Sequence, residues 1–272
     1  MVSINTTASG TSVNGTTGTQ VQSKTQSTGT SATATGSSST KLSAFARLLS
    51  DAATRAETRD ASLSRSQLRA TAESALDEIT GTNYANNKAR YDAQLPDTDD
   101  ADLLALAQQS TDYLNGKASN PFKGMSREQL ALITYDDSGA FTVNERRAAL
   151  SESNDQYNEW ARKVVDKAVA EYNRTGKITS IYSDMLEFYQ SQPAIEQAQY
   201  PDGYAVQLQA KITTTTSDTQ TTSLFDTLNQ WNNQNQNSTS TIPMMSLFTL
   251  LADSEQNEDN NPLSQPPGAL GL

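Results

Sequence analysis

Residues 143–174 read VNERRAALSESNDQYNEWARKVVDKAVAEYNR, and their second half carries the most sustained period in the chain. Trp160, Ala161, Val164, Val165, Ala168, Val169 and Tyr172 recur at three- and four-residue steps, which places them on one face of a long helix. Gly176 follows as its stop, since glycine accepts the left-handed conformation that closes a helix. Arg146, Arg147, Arg162 and Lys163 lie opposite or beside the apolar stripe and read as its solvated side. A helix of this length, with no comparable run of strands, sets the class as all-α.

The same period continues outward on both sides. Toward the C-terminus, Ile181, Met185, Phe188 and Tyr189 mark a helix stopped near Pro193, and residues 194–200 add a turn or two. Tyr204, Val206, Leu208, Ala210 and Ile212 alternate as a strand would. A lone strand cannot build a sheet, so this stretch reads as an extended arm or a short helix. Toward the N-terminus, Leu42, Phe45, Leu48, Leu49 and Ala52 form one apolar face, and Leu68, Ala72, Ala75, Leu76 and Ile79 form another. Ser64 with Gln67 makes a capping box for the second of these helices, and Gly81 is placed to end it. A weaker unit, residues 84–95, closes at Pro96. Asp97, Thr98, Asp99, Asp100 and Asp102 then supply the negative first turn of a helix running to Asn115, a simpler account of that acidic cluster than a cation site.

The expected architecture is an irregular multi-helix domain over residues 41–212, a size suited to one domain. Residues 1–40 are almost wholly Ser, Thr, Gly, Ala, Asn and Gln, with Lys24 the only charged side chain. Such a leader buries too little apolar surface to offset roughly 1–2 kcal/mol of backbone ordering per residue and reads as disordered. Residues 213–272 are acidic, Asn/Gln-rich and Pro-punctuated, and read as a second, mostly disordered tail. Two short apolar pieces interrupt it, residues 224–231 and 242–251, each able to form a helix only when docked.

Composition excludes several chemistries. With no Cys and no His in 272 residues, there are no disulfides, no thiolate or imidazole metal ligands and no Ser-His-Asp or Cys-His nucleophile. A net charge of -11 repels phosphate backbones and anionic headgroups, so nucleic acid is not an expected partner. No apolar run approaches the roughly 20 residues of a transmembrane helix, and the N-terminus has neither region of a Sec signal peptide. No phosphate loop or nucleophile elbow is present, and the chain reads as a non-enzyme.

Residues 134–145, TYDDSGAFTVNE, form the one segment whose spacing points to a specific chemistry. They resemble a degenerate EF-hand calcium loop. With Gly139 at the sharp turn, Asp136 takes position 3, Ser138 position 5, the Ala140 carbonyl position 7, Thr142 position 9 and Glu145 the bidentate position 12. Position 1 departs from the pattern, being Thr134 in place of Asp. Ser126 with Gln129 caps an entering helix, so residues 126–175 read as an EF-hand-like helix-loop-helix. The same residues also make a capped turn without metal, because Thr142 and Glu145 form a Thr-x-x-Glu capping box and Asp136 to Gly139 suit an ordinary turn. The resemblance implies a weak calcium site, with affinity of about 10⁻⁴ to 10⁻³ M.

The uncharged Ser/Thr/Gly leader, the absence of Cys and of a Sec signal, and the acidic helical body together resemble bacterial substrates of type III or flagellar-type export. That resemblance implies a protein secreted without a Sec signal peptide, or otherwise held in the bacterial cytoplasm, which binds a protein partner or an export chaperone. The segment from Asn120 to Arg147 is also similar to a stretch in bacterial proteins of no assigned function. Ile242, Met244, Met245, Leu247, Phe248, Leu250 and Leu251 are the candidate partner-binding residues, because Met-rich amphipathic segments suit adaptable grooves.

Overall fold

The structure, a computed structural model, describes residues 35–214 together with Phe225 and Leu228. Among the described residues every regular element is a helix: α1 (Thr35–Ser62), α2 (Arg65–Ile79), α3 (Gly81–Asp92), α4 (Ala101–Leu114), α5 (Arg127–Thr134), α6 (Val143–Thr175), α7 (Ile181–Gln190), α8 (Ala194–Gln197) and α9 (Tyr204–Thr214). The chain therefore forms an all-α multi-helix domain. Helix α1 begins ahead of the expected boundary at residue 41. Residues 1–34 of the leader, and the tail residues Ile242, Met244, Met245, Leu247, Phe248, Leu250 and Leu251, lie outside the described residues.

Helix α6 organises the rest. Its 33 residues span about 50 Å at 1.5 Å per residue. Helices α2, α3, α4, α5 and α7 all pack against it. The stripe read from sequence is the α6 side of the largest core cluster: Ala161, Val164, Val165 and Ala168 are buried against Ile181, Met185 and Tyr189 of α7 and Leu208 of α9. Around the other half, Phe122, Leu130, Ile133 and Phe141 are buried with Ala148 and Ala149, and Phe45, Leu48 and Leu49 of α1 close over them.

The helix boundaries follow from local chemistry. Capping boxes form at Ser64/Gln67, Ser126/Gln129 and Thr142/Glu145, so each of α2, α5 and α6 starts with its first orphan N–H groups satisfied. Asp100 caps α4, its carboxylate accepting from the backbone N–H groups of Asp102 at 2.9 Å and Leu103 at 3.2 Å. Gly176 ends α6 at φ 70°, a conformation that side chains rarely adopt.

One reading is decided and one corrected. Of the extended arm or short helix expected at 204–212, the stretch is the helix α9, with Tyr204 and Leu208 buried, Ile212 packed on the same cluster and Val206 73% exposed. Positions 204, 208 and 212 satisfy both a two-residue and a four-residue step. The helix prevails because it pairs its own backbone groups, whereas an isolated strand leaves them unpaired. Arg146 and Arg147 are not solvated. Arg146 is buried and donates to the Thr134 carbonyl at 3.2 Å and to Glu78 at 2.6 Å. Arg147 lies 4.0 Å over the Tyr84 ring and donates to the Ile79 carbonyl. These carbonyls end α5 and α2, where a cation is favoured by the helix dipole, and α6 is too enclosed here to have a solvated side. Arg162 and Lys163, farther along, are exposed as read.

Cationic side chains also fasten α8. Arg65 donates to the carbonyls of Gln197 at 2.7 Å and Tyr200 at 2.9 Å, and Arg69 donates to those of Ala198 and Tyr200, both at 2.8 Å. From α5, Arg127 pairs with the buried Glu196 at 2.7 Å.

Candidate functional site

The loop between α5 and α6 has the helix-loop-helix setting that the spacing predicts, with both flanking helices capped. Gly139 sits at φ 83°, the sharp turn assigned to it. Phe141 points into the core and is 2% exposed, which ties the loop to the hydrophobic cluster beneath α1.

Each side chain expected to bind a cation has a protein partner. One Asp136 oxygen accepts from the Ser138 backbone N–H at 2.8 Å and from the Ser138 hydroxyl. The other accepts from Arg55 of α1, through Nε at 3.0 Å and through Nη2. Thr142 and Glu145 serve each other. Glu145 Oε2 accepts from the Thr142 N–H at 2.7 Å and the Thr142 hydroxyl at 2.8 Å, and Thr142 Oγ1 accepts from the Glu145 N–H at 3.2 Å. Burial pushes the Glu145 carboxyl up from its ordinary range, against the lowering effect of the Thr142 hydrogen bonds. Thr134 is buried, and its hydroxyl makes no hydrogen bond. Among the described residues, no three Asp or Glu side chains converge as a cation cluster.

Asp136 and Ser138 are thus brought together, while Glu145 is turned to its own helix start. Arg55 is the residue that sequence reading missed. It lies 81 positions before Asp136, and only the packing of α1 on α5 reveals that a guanidinium occupies the cation side of this carboxylate. Beside that contact, a cavity of about 490 Å³ runs between α1 and the loop, lined by Arg55, Arg59, Leu63, Tyr135 and Asp137.

A second functional feature is apolar. Phe225 stacks on Tyr172 at the end of α6, ring centroids 4.1 Å apart and planes 20° apart. Leu228 is fully buried in the cluster built by α6, α7 and α9. Both residues belong to the tail piece expected to become helical only when docked, and both are helical. No helix among the described residues is long and apolar enough to cross a membrane. No family model, curated protein or solved structure matches the chain.

Proposed function

We infer that this is a bacterial interaction protein, exported by a type III-like route and acting by protein–protein binding without a catalytic site. The observation that carries the reading is the seating of Phe225 and Leu228 on the α6/α7/α9 face. An apolar pair at helical spacing, from a polar tail, seated on a surface built by three helices, matches the helix-in-groove mode of recognition. The leader's composition supports the export half: a weakly charged, Ser/Thr/Gly-rich segment resembles the leaders of such substrates, and a domain without cysteine has no disulfide to hinder its passage through a narrow channel. Deleting residues 2–34, which leaves α1 whole, abolishes accumulation in the culture medium and leaves the melting temperature of the purified protein unchanged. Undiminished secretion of the deleted chain would remove the export reading.

A second reading is favoured by the capped helix-loop-helix with Gly139 in its left-handed turn: a weak calcium module using Asp136, Ser138, the Ala140 carbonyl, Thr142 and Glu145. Calcium would have to displace Arg55 from Asp136 and turn Glu145 from its cap, so the affinity is at best submillimolar. Calorimetric titration of the full chain tests it against Glu145→Gln. Gln preserves the capping box, so this variant stays within about 1 kcal/mol of the parent while losing the bidentate carboxylate. Heat that saturates near millimolar calcium in the parent and vanishes in the variant supports the module; a flat parent trace ends it.

A further inference from the structure

The tail carries the docked pattern twice. Residues 223–228 read Ser-Leu-Phe-Asp-Thr-Leu and residues 246–251 read Ser-Leu-Phe-Thr-Leu-Leu, so Ser-Leu-Phe-x-x-Leu occurs at both places. In the first copy the structure shows what the pattern does: its Phe stacks on Tyr172 and its final Leu is fully buried among α6, α7 and α9. Phe and Leu three positions apart share one face of a helical turn, which is why one groove can take both. The second copy presents the same pair, Phe248 and Leu251, and replaces the polar Asp226 and Thr227 with Thr249 and Leu250. It is the more apolar of the two.

We propose that residues 246–251 are a second ligand for the groove that Phe225 and Leu228 fill, so that the chain holds two interchangeable segments for one docking face. The inference rests on the reading of that face as a docking surface. Reach permits the exchange. Phe248 follows Phe225 by 23 positions, and an Asn/Gln/Ser/Thr-rich linker of that length has a root-mean-square span of about 26 Å.

The test uses the full chain with Phe225→Ala, Leu228→Ala, Phe248→Ala and Leu251→Ala, its helix content checked by circular dichroism, and two labelled peptides covering residues 221–232 and 244–255. Both peptides bind with one-to-one stoichiometry, each displaces the other, and their dissociation constants agree within about tenfold. Binding of the first peptide but not the second overturns the exchange and leaves the docking face standing; binding of neither to the folded chain removes both. Should that variant not fold, a disulfide trap decides the matter, because the protein has no other cysteine. In a Phe225→Ala background, Tyr172→Cys with Phe248→Cys closes an internal disulfide faster than Tyr172→Cys with Ser240→Cys. Equal rates overturn the proposal.

Discussion

Replacing Arg127 by Met lowers the stability of the folded domain by about 3–5 kcal/mol at neutral pH, the usual cost of stranding one member of a buried ion pair. Its partner Glu196 has a side chain only 3% exposed, against 13% for Arg127 itself, and the two meet at 2.7 Å. Met keeps an unbranched apolar stem but loses the guanidinium, which pairs with Glu196 and lies 5.0 Å over the Phe188 ring centroid, so the loss falls on the charged group. Burial already pushes the Glu196 carboxyl up, with Arg127 opposing the rise; removing Arg127 lets it climb further. A carboxyl whose folded value is raised holds its proton longer in the native state than in the unfolded chain. This carboxyl's own contribution to stability is therefore fully present below the unfolded value, near 4.3 for Glu, and is lost as pH rises through the folded value. The penalty of Arg127→Met accordingly shrinks as the solution is acidified, and adding Glu196→Gln recovers much of it at pH 7. Urea unfolding of parent and variants across pH 4–8 reads this directly. A penalty independent of pH would show that packing, not charge, joins α5 to α8.

Asn144→Asp, a change of one atom type, is expected to cost about 3 kcal/mol at neutral pH, the upper range for leaving a buried polar partner opposed. Asn144 is fully buried at the start of α6. Its Oδ1 accepts from the Tyr84 hydroxyl at 2.8 Å, and its Nδ2 donates to Thr111 Oγ1 at 2.9 Å, Asp92 Oδ1 at 3.1 Å and the Tyr91 carbonyl at 3.3 Å. One amide therefore joins α3, α4 and α6, accepting on one side while donating on the other, which an ionised carboxylate, an acceptor only, cannot do. Although burial raises Asp92, hydrogen bonds from Lys88, Asn144 and Asn115 hold its carboxyl below the ordinary range. In the variant, a second carboxylate faces Asp92 across a hydrogen-bond distance, which like charges do not tolerate together. Denaturant unfolding shows the loss at pH 7 and a partial return at acid pH, where the pair can share a proton. A variant as stable as its parent at pH 7 would mean that these contacts contribute nothing net.

What the sequence made legible was whatever repeats locally. The Trp160–Tyr172 stripe, the three Ser/Thr-x-x-Glu/Gln boxes, the acidic start of α4 and the Gly176 stop each express a rule that operates within a turn or two of helix, and each is present in the fold. The period-two pattern at 204–212 left an arm and a short helix both open because it coincides at every second step with a helix face. The polar interior could not be read at all. Asn144, Arg146 and Glu196 look like surface residues by type, and their burial depends on helices that arrive from far along the chain. The loop at 134–145 was legible as a turn and as a calcium-loop spacing, but its Arg55 contact was not, since nothing near Asp136 in sequence announces a guanidinium from α1.

The arginine clamp on α8 has a kinetic meaning. Arg69 and the Ala198 carbonyl are 129 residues apart, so their contact closes most of the domain into a loop, whereas the α5-loop-α6 unit assembles from neighbours. Pairings of such long separation tend to form after the rate-limiting step. Interactions absent from the transition state act on the rate of unfolding and leave the rate of folding nearly untouched. Arg65 and Arg69 thus work as a timer: they set how long the assembled domain survives before it opens. In a chain with no cysteine, two guanidinium groups on a handful of carbonyl oxygens, with the Arg127–Glu196 pair beside them, lengthen that lifetime.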